Sequence, residues 1–346
     1  ILGSATIGAL SLCFSDSFWF NAVEAEVYAM ATLILSVLFW LALKWEEEMN
    51  TEYGDRWLLI ISFVIGLSFG VHFMGLLTIP AIGMIYFFKN TKKITFKNFI
   101  LSNLISVAIL LFIFKLLLPS TLAIFGEVEV YFVNNLNLPF NTGTIFTGVI
   151  ILLFFYYGLK FTSQKNWVNI NTSILCLFFV LLGFSSWIML PIRANANTVI
   201  NENSPTDARQ LLAYYNLEQY PETKLFYGPM FSDMYAGQDD IEPYIDDKPK
   251  YERDYTLKKY VIVNNWERAK VNSNRNHRGI LPRLWSPEHA ENYINFTGPL
   301  NFKLSSEYKN SEELKSVVSE FYQQQLDGEL TGEDYHNFYK NMARYV

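Results

Sequence analysis

The residues best placed to do chemistry in this sequence are Asp16, Glu24, Glu26 and Tyr28, then His72, then Arg193, Asn195 and Asn197. The first group lies in FSDSFWFNAVEAEVYAM, residues 14–30, where an apolar stretch begins with two carboxylates. A charged side chain inside a membrane segment costs roughly 2.5–3.5 kcal/mol on insertion scales, so it usually has a task. A carboxylate there can take the proton of an attacking hydroxyl. On one continuous helix Glu24 and Tyr28 share a face, being four residues apart. Glu26 then points about 200° round from Glu24, so only one of the two faces a given groove. The alternative is that both sit solvated in the headgroup layer beside Phe18, Trp19 and Phe20.

His72 lies in GLSFGVHFMGLLTIP, residues 66–80, between Gly70 and Gly75. Glycines allow close helix approach or irregular backbone in a membrane. A histidine there can bind a phosphate or pass a proton; the alternative is that it satisfies a backbone carbonyl. Arg193 opens the run Arg193-Ala-Asn195-Ala-Asn197. A guanidinium suits phosphate by paired hydrogen bonds, although an arginine at a span end also serves as an interfacial anchor.

These residues must be held by membrane helices. The chain is 51% hydrophobic and 17% charged, against roughly 25% charged in soluble domains, and the deficit falls in residues 1–190. A span needs about 20 apolar residues. Segments 1–14, 22–43, 98–118, 144–159 and 170–190 read as spans or parts of spans. No Asp, Glu, Lys or Arg lies between Arg56 and Lys89. That run is too long for one span and too short for two. Lysines mark the cytoplasmic side, and they gather in 89–97 and at Lys160 and Lys165. Loops 15–21 and 119–143 carry no Lys or Arg and read as outside. Parity then makes 57–88 a hairpin of two short helices with its tip near Gly70–Gly75. The last span exits outward, so residues 191–346 are expected as an extracytoplasmic, periplasmic segment of a multi-pass inner-membrane protein. Lys115 is read as snorkelling to the outer surface.

The expected fold class is an α-helical polytopic domain followed by a mixed α/β segment. In 191–346, Ser204-Pro205-Thr206-Asp207 reads as a helix start running to about 219. Strands are expected at 224–228 and 259–264, and helices at 309–326 and 331–344. Cys13 and Cys176 both lie in apolar runs, so the second segment has no disulfide framework. His277, His289 and His336 show no metal spacing. The net charge of −6 argues against nucleic acid.

The runs FSDSFWFNAVEAEVYAM, DRWLLIISFVIGLSFGVHFMGLLTIPAIG and PIRANANTVINENSP together resemble a bacterial membrane family of the GT-C superfamily. That family was long catalogued as a domain of unknown function, is common in Bacteroidetes, and is related to transmembrane protein O-mannosyltransferases. The resemblance spans about residues 1–220. It implies a glycosyltransferase that moves a sugar, with mannose as the expected one, from a polyprenyl-phosphate carrier to an extracytoplasmic acceptor, with protein Ser/Thr as the expected one. It implies no cofactor and no divalent metal, and the bilayer, the lipid-linked sugar and a protein acceptor as partners. Glu24 and Glu26 would be the catalytic carboxylates, with Asp16, Tyr28, His72, Arg193, Asn195 and Asn197 binding substrate. It also implies that the chain begins after the first outer loop, where such enzymes carry their main acidic residue. A transporter or lipid flippase with an outer domain is the rival reading, since charged groups in short, glycine-interrupted helices also mark transport sites. A scaffold whose outer domain binds partners is a third.

Overall fold

Long apolar runs with small residues at contact points form a helical bundle. A computed structural model describes all residues except 25, 197, 221–223, 232, 234–237, 240, 283–288, 290–291, 294–301, 305–311, 331–333, 335–342 and 346. The chain divides into two compact units. The first is Ile1–Gln219 with Arg253–Tyr260, and the second is Tyr220–Glu252 with Val261–Val346.

The first unit is helical: α1 (Leu2–Cys13), α2 (Asp16–Val23), α3 (Tyr28–Glu48), α4 (Asp55–Ser68), α5 (Thr78–Asn90), α6 (Phe96–Leu111), α7 (Leu118–Asn134), α8 (Thr142–Gln164), α9 (Val168–Phe184), α10 (Met189–Asn195) and α11 (Ala208–Tyr215). A 3-10 turn, Phe73–Leu77, leads into α5. A π-helical stretch, Phe112–Leu117, joins α6 to α7, and a 3-10 turn, Ser185–Ile188, joins α9 to α10. Among the described residues, five continuous helices are long and apolar enough to cross a membrane: Tyr28–Glu48, Phe73–Asn90, Phe96–Asn134, Thr142–Gln164 and Val168–Asn195. The protein is therefore a multi-pass helical membrane protein followed by a mixed segment.

Helix α3 supplies the buried stripe Ala31, Ile34, Leu38, Leu41, Ala42 and Trp45, at helical spacing. It packs on α4 and α5, and α4 packs along α9. The α4–α9 contact depends on glycine. A Cβ on Gly66 would run into the Val180 carbonyl, and one on Gly183 into the Phe63 carbonyl. Helices α1 and α2 bury no residue.

The stretch 57–88 is two helices with a break at Phe69–His72. Its two outer ends stand at the same end of α3. Arg56 reaches Glu48 at 2.7 Å, Lys89 reaches Glu46 at 4.0 Å, and the Asn90 amide meets Met49 Sδ at 3.1 Å. At the opposite end of α3, Tyr28 meets His72 in the break.

Several boundaries differ from the sequence reading. Residues 16–23 are a helix rather than a loop, and the next span begins at Tyr28 rather than 22. The chain turns extended at Glu24 (φ −70°, ψ 145°), where two carboxylates fall within three residues. Residues 119–134 are helical rather than an outer loop. Pro119 lacks an N–H and normally breaks a helix, but here it follows the widened π-helical stretch, which absorbs the lost bond. The resulting 39-residue helix is about 58 Å long, about twice the hydrocarbon thickness. Helix α11 is capped by Asp207, not Ser204. Asp207 Oδ1 accepts from the Arg209 and Gln210 amides, while Asn203 and Ser204 both sit at positive φ.

Among the described residues the second unit contains antiparallel strand pairs and a 16-residue helix. β1 (Tyr227–Pro229) pairs with β6 (Arg278–Ile280), β2 (Tyr244–Ile245) with β5 (Lys270–Val271), and β7 (Phe302–Leu304) with β8 (Ala343–Tyr345). β3 (Tyr251–Asp254) pairs with β4 (Lys259–Ile262), and their residues from Arg253 to Tyr260 belong to the first unit. Helix α12 is Glu312–Asp327. The helix expected at 331–344 falls largely outside the described residues, and 343–345 is strand.

Candidate functional site

The break in the α4–α5 helix pair positions the first candidate site. His72 has extended backbone (φ −161°, ψ 137°), and its Nδ1 accepts the Met74 amide at 3.2 Å. The ring therefore caps the 3-10 turn through a backbone N–H, rather than meeting a carbonyl. That bond leaves Nε2 as the nitrogen able to face a ligand. The His72 ring stacks on Phe73 (4.5 Å, 23°) and lies 5.8 Å from the Tyr28 ring.

The break is held by aromatic packing. Trp187 donates Nε1–H to the Phe69 carbonyl at 2.9 Å, and Phe69 meets Phe184 edge-on. Phe114 lies 6.4 Å from Phe69 and 6.0 Å from Phe73. Phe114 belongs to the π-helical stretch, and the next residue is Lys115, whose Nζ sits 4.9 Å from the Phe114 ring centre. Among the described residues Lys115 has no ion-pair partner. A lone cation on a π-helical stretch beside a broken helix is a combination found at functional sites. Sequence reading took Lys115 only as a snorkelling lysine, because the π-helical stretch that presents it has no sequence signature. The Ser186 hydroxyl, buried without a hydrogen-bond partner, faces Gly70 of the same break.

The other expected residues are spread more widely. Glu24 and Glu26 lie in the α2–α3 break, exposed and without side-chain partners among the described residues. Glu24 ends α2 and Tyr28 begins α3, so they do not share one helix face. Asp16 is exposed in the first turn of α2. Arg193 is exposed in the last turn of α10 and makes no ion pair among the described residues. Asn195 is engaged: its amide donates to the Pro191 and Thr206 carbonyls, both at 2.8 Å. Asn197 lies outside the described residues. The structure thus brings Tyr28 and His72 together, and leaves Glu24, Glu26, Asp16 and Arg193 open to solvent or lipid headgroups.

A second cluster, absent from the sequence reading, sits at the end of α7. Glu129 is fully buried. It accepts from the Asn141 amide (2.6 Å), the Thr144 amide (2.9 Å) and the Thr144 hydroxyl (3.1 Å), so it caps α8 from outside. Gly143 permits this approach, since a Cβ there would meet the Glu129 backbone. Arg253 joins the cluster at 3.8 Å from Glu129 and 3.1 Å from Asp207. It also donates to the Tyr260 hydroxyl (2.9 Å) and Asn141 Oδ1 (2.6 Å). Burial pushes the Asp207 carboxyl above its ordinary value, against the Gln210 amide and Arg253. Burial also holds the Tyr260 hydroxyl above the usual phenol range. Every group faces a protein partner, so this cluster anchors 253–260 and α11 to α7.

The second unit carries a polar groove of about 1010 Å³ lined by Lys224, Tyr227, Asp233, Asn272, Lys270 and Arg278. Arg278 is fixed by Asn272 Oδ1 and by the Ser273 hydroxyl and carbonyl. Burial pushes Asp233 up to about 6 and holds the His277 imidazole down to about 4. Among the described residues no group of His, Cys, Asp and Glu is arranged to hold a metal ion.

Residues 1–95 match the family described as the N-terminal domain of the protein O-mannosyl-transferase TMEM260. Residues 221–342 match a family of unknown function, DUF8416. No curated protein and no solved structure matches the chain. The first match relates the chain to a membrane glycosyltransferase over the stretch that holds Asp16, Glu24, Glu26, Tyr28 and His72. Lys115, Arg193 and the Glu129 cluster lie beyond it.

Proposed function

We propose that the chain is a GT-C-type membrane glycosyltransferase that moves a sugar, with mannose as the expected one, from a polyprenyl-phosphate carrier to a protein Ser or Thr hydroxyl. The observation that carries this reading is the Tyr28–His72 contact at a membrane-helix break, inside the 95 residues that match an O-mannosyl-transferase domain. The lysine-bearing ends of the bundle are assigned to the cytoplasm and the His72 end to the outside, in an inner membrane. Residues 220–346 would then lie in the periplasm.

In the proposed reaction the acceptor oxygen attacks the anomeric carbon and forms the new C–O bond. The bond from that carbon to the carrier phosphate breaks, and the phosphate leaves with the electron pair. A carboxylate of the 16–26 segment, Glu24 or Glu26, takes the hydroxyl proton. Lys115, Arg193 and the His72 Nε2–H stabilise the departing phosphate. Asp16 and Tyr28 would position the sugar, and Asn195 would hold the turn that presents Arg193. The donor is a substrate, and the mechanism requires no cofactor.

The test is transfer of mannose from polyprenyl-phosphate-mannose to a protein acceptor in membranes carrying the protein. Glu24→Gln, Glu26→Gln, His72→Gln, Lys115→Gln and Arg193→Gln are compared with wild type. Loss of one phosphate contact should lower kcat by about 10²-fold or more. If all five variants transfer sugar at the wild-type rate, the site assignment is wrong.

A further inference from the structure

A groove of about 790 Å³ runs between α4, α5, α6 and α9. Its walls are apolar along most of their length, with Ile61, Ile79, Ile105, Ile109, Leu177 and Val180 among them. Ile105 and Ile109 line it while remaining 53% and 48% exposed, so the groove opens sideways toward the surroundings of the bundle. Polar residues gather at one end: Thr91, Asn98, Ser102 and Thr172. Thr91 and Asn98 bracket the α5–α6 junction, which carries Lys92 and Lys93 in the turn and Lys97 in the first turn of α6. All three lysines are exposed, and among the described residues none makes an ion pair or a side-chain hydrogen bond. Lys89, by contrast, reaches Glu46 at 4.0 Å. This end of the bundle is the one opposite His72.

We propose that the groove and the lysine turn form a site for an anionic glycerophospholipid. One acyl chain lies along the apolar wall, and the phosphate sits among Lys92, Lys93 and Lys97. A mobile hydrocarbon chain fills an irregular apolar channel that rigid helices leave open. Basic residues at the end of membrane helices hold anionic head groups, and basic pockets between such helices take phospholipids specifically. The site does not rest on the glycosyltransferase reading, because it uses none of that reading's residues.

Native mass spectrometry of the full chain in detergent, titrated with phosphatidylglycerol or with phosphatidylcholine of the same chains, tests it. The anionic lipid should bind more tightly. Replacing all three lysines by glutamine should weaken phosphatidylglycerol by roughly a hundredfold, about fivefold per lysine, and leave phosphatidylcholine unchanged. Ser102 makes no side-chain hydrogen bond, so S102F removes none; it fills the mouth and should weaken both lipids. Equal binding of the two lipids by wild type overturns the proposal, as does wild-type phosphatidylglycerol binding by either variant. Displacement of phosphatidylglycerol by an equal concentration of polyprenyl phosphate also overturns it, since the groove would then belong to the carrier.

Discussion

Among the described residues Arg253 is the one cation holding two buried carboxylates in the cluster at the end of α7, and Arg253→Met should expose how much the first unit depends on it. The guanidinium side chain is 13% exposed, and the Glu129 and Asp207 side chains are 0% and 1% exposed. Removing one partner from a buried ion pair costs about 3–5 kcal/mol, because the remaining charge keeps its desolvation penalty. Methionine fills similar space, so most of the loss is electrostatic. The effect should depend on pH. Asp207 already titrates above its ordinary value of 3.8 because of burial, and Arg253 opposes that rise. Without the arginine, the folded carboxyl binds its proton more tightly still. A group raised in the folded state contributes most below its unfolded pKa, and stability falls as pH rises through the window up to the folded value. The variant should therefore lose more at pH 8 than at pH 5.

Hydrogen exchange reads this directly at the Asn141, Thr144, Arg209 and Gln210 amides, which donate to the two carboxylates. After correction for intrinsic rate, protection at pH 8 should drop by about two to four orders of magnitude, at 1.4 kcal/mol per decade. Adding Asp207→Asn should restore part of it, since asparagine keeps the helix cap without the charge. A drop under tenfold, or equal drops at pH 5 and pH 8, would refute the view that this cluster is an electrostatic anchor.

Other outcomes follow from the same structure. In the second unit Asp233 and His277 are shifted in opposite directions, to about 6 and about 4. The aspartate contribution falls as pH rises from 3.8 to about 6, and the histidine contribution grows from about 4 to 6.5, so they offset. Asp233→Asn should leave a stability that climbs by about 2–3 kcal/mol across that window, measured by exchange of the β1 and β6 amides. Gly66→Val should separate α4 from α9 and cost several kcal/mol, since the clash is with the Val180 backbone; a thermal midpoint within a degree of wild type would contradict it. Trp187→Phe should cost about 1 kcal/mol through the lost bond to Phe69 and quicken exchange at residues 69–72.

The helical class and the approximate span positions were legible because they follow from local composition. Apolar length identifies a span without any knowledge of its neighbours. The errors fell where a nonlocal device overrides a local cue. Pro119 reads as a helix end, yet the π-helical stretch before it lets α6 continue into α7. Ser204 and Pro205 read as a helix start, but the left-handed pair Asn203–Ser204 moves the cap to Asp207. The lack of Lys and Arg made 119–143 read as an outer loop, whereas Glu129 within it is fully buried against the start of α8.

The same division separates the two halves of the candidate site. His72 and Tyr28 could be singled out because an ionisable ring between glycines, and polar groups at the start of an apolar run, are costly enough to stand out in one dimension. Lys115 could not, because a lysine near the end of a span has the cheaper explanation of reaching the surface. What changes its meaning is Phe114, which touches both Phe69 and Phe73 and so carries the π-helical stretch to the His72 break. The cation, the imidazole and the unpartnered Ser186 hydroxyl come from three segments that share no sequence pattern. Substituting Lys115 is therefore the sharper test of the phosphate-binding assignment. Arg193 lies in the last turn of a helix, where an anchor explains it equally well. Lys115 is tied by Phe114 to the His72 break, and among the described residues no carboxylate pairs with it. If Lys115→Gln keeps wild-type transfer while Arg193→Gln abolishes it, the phosphate sits at the α10 mouth and the helix break serves only to shape the bundle.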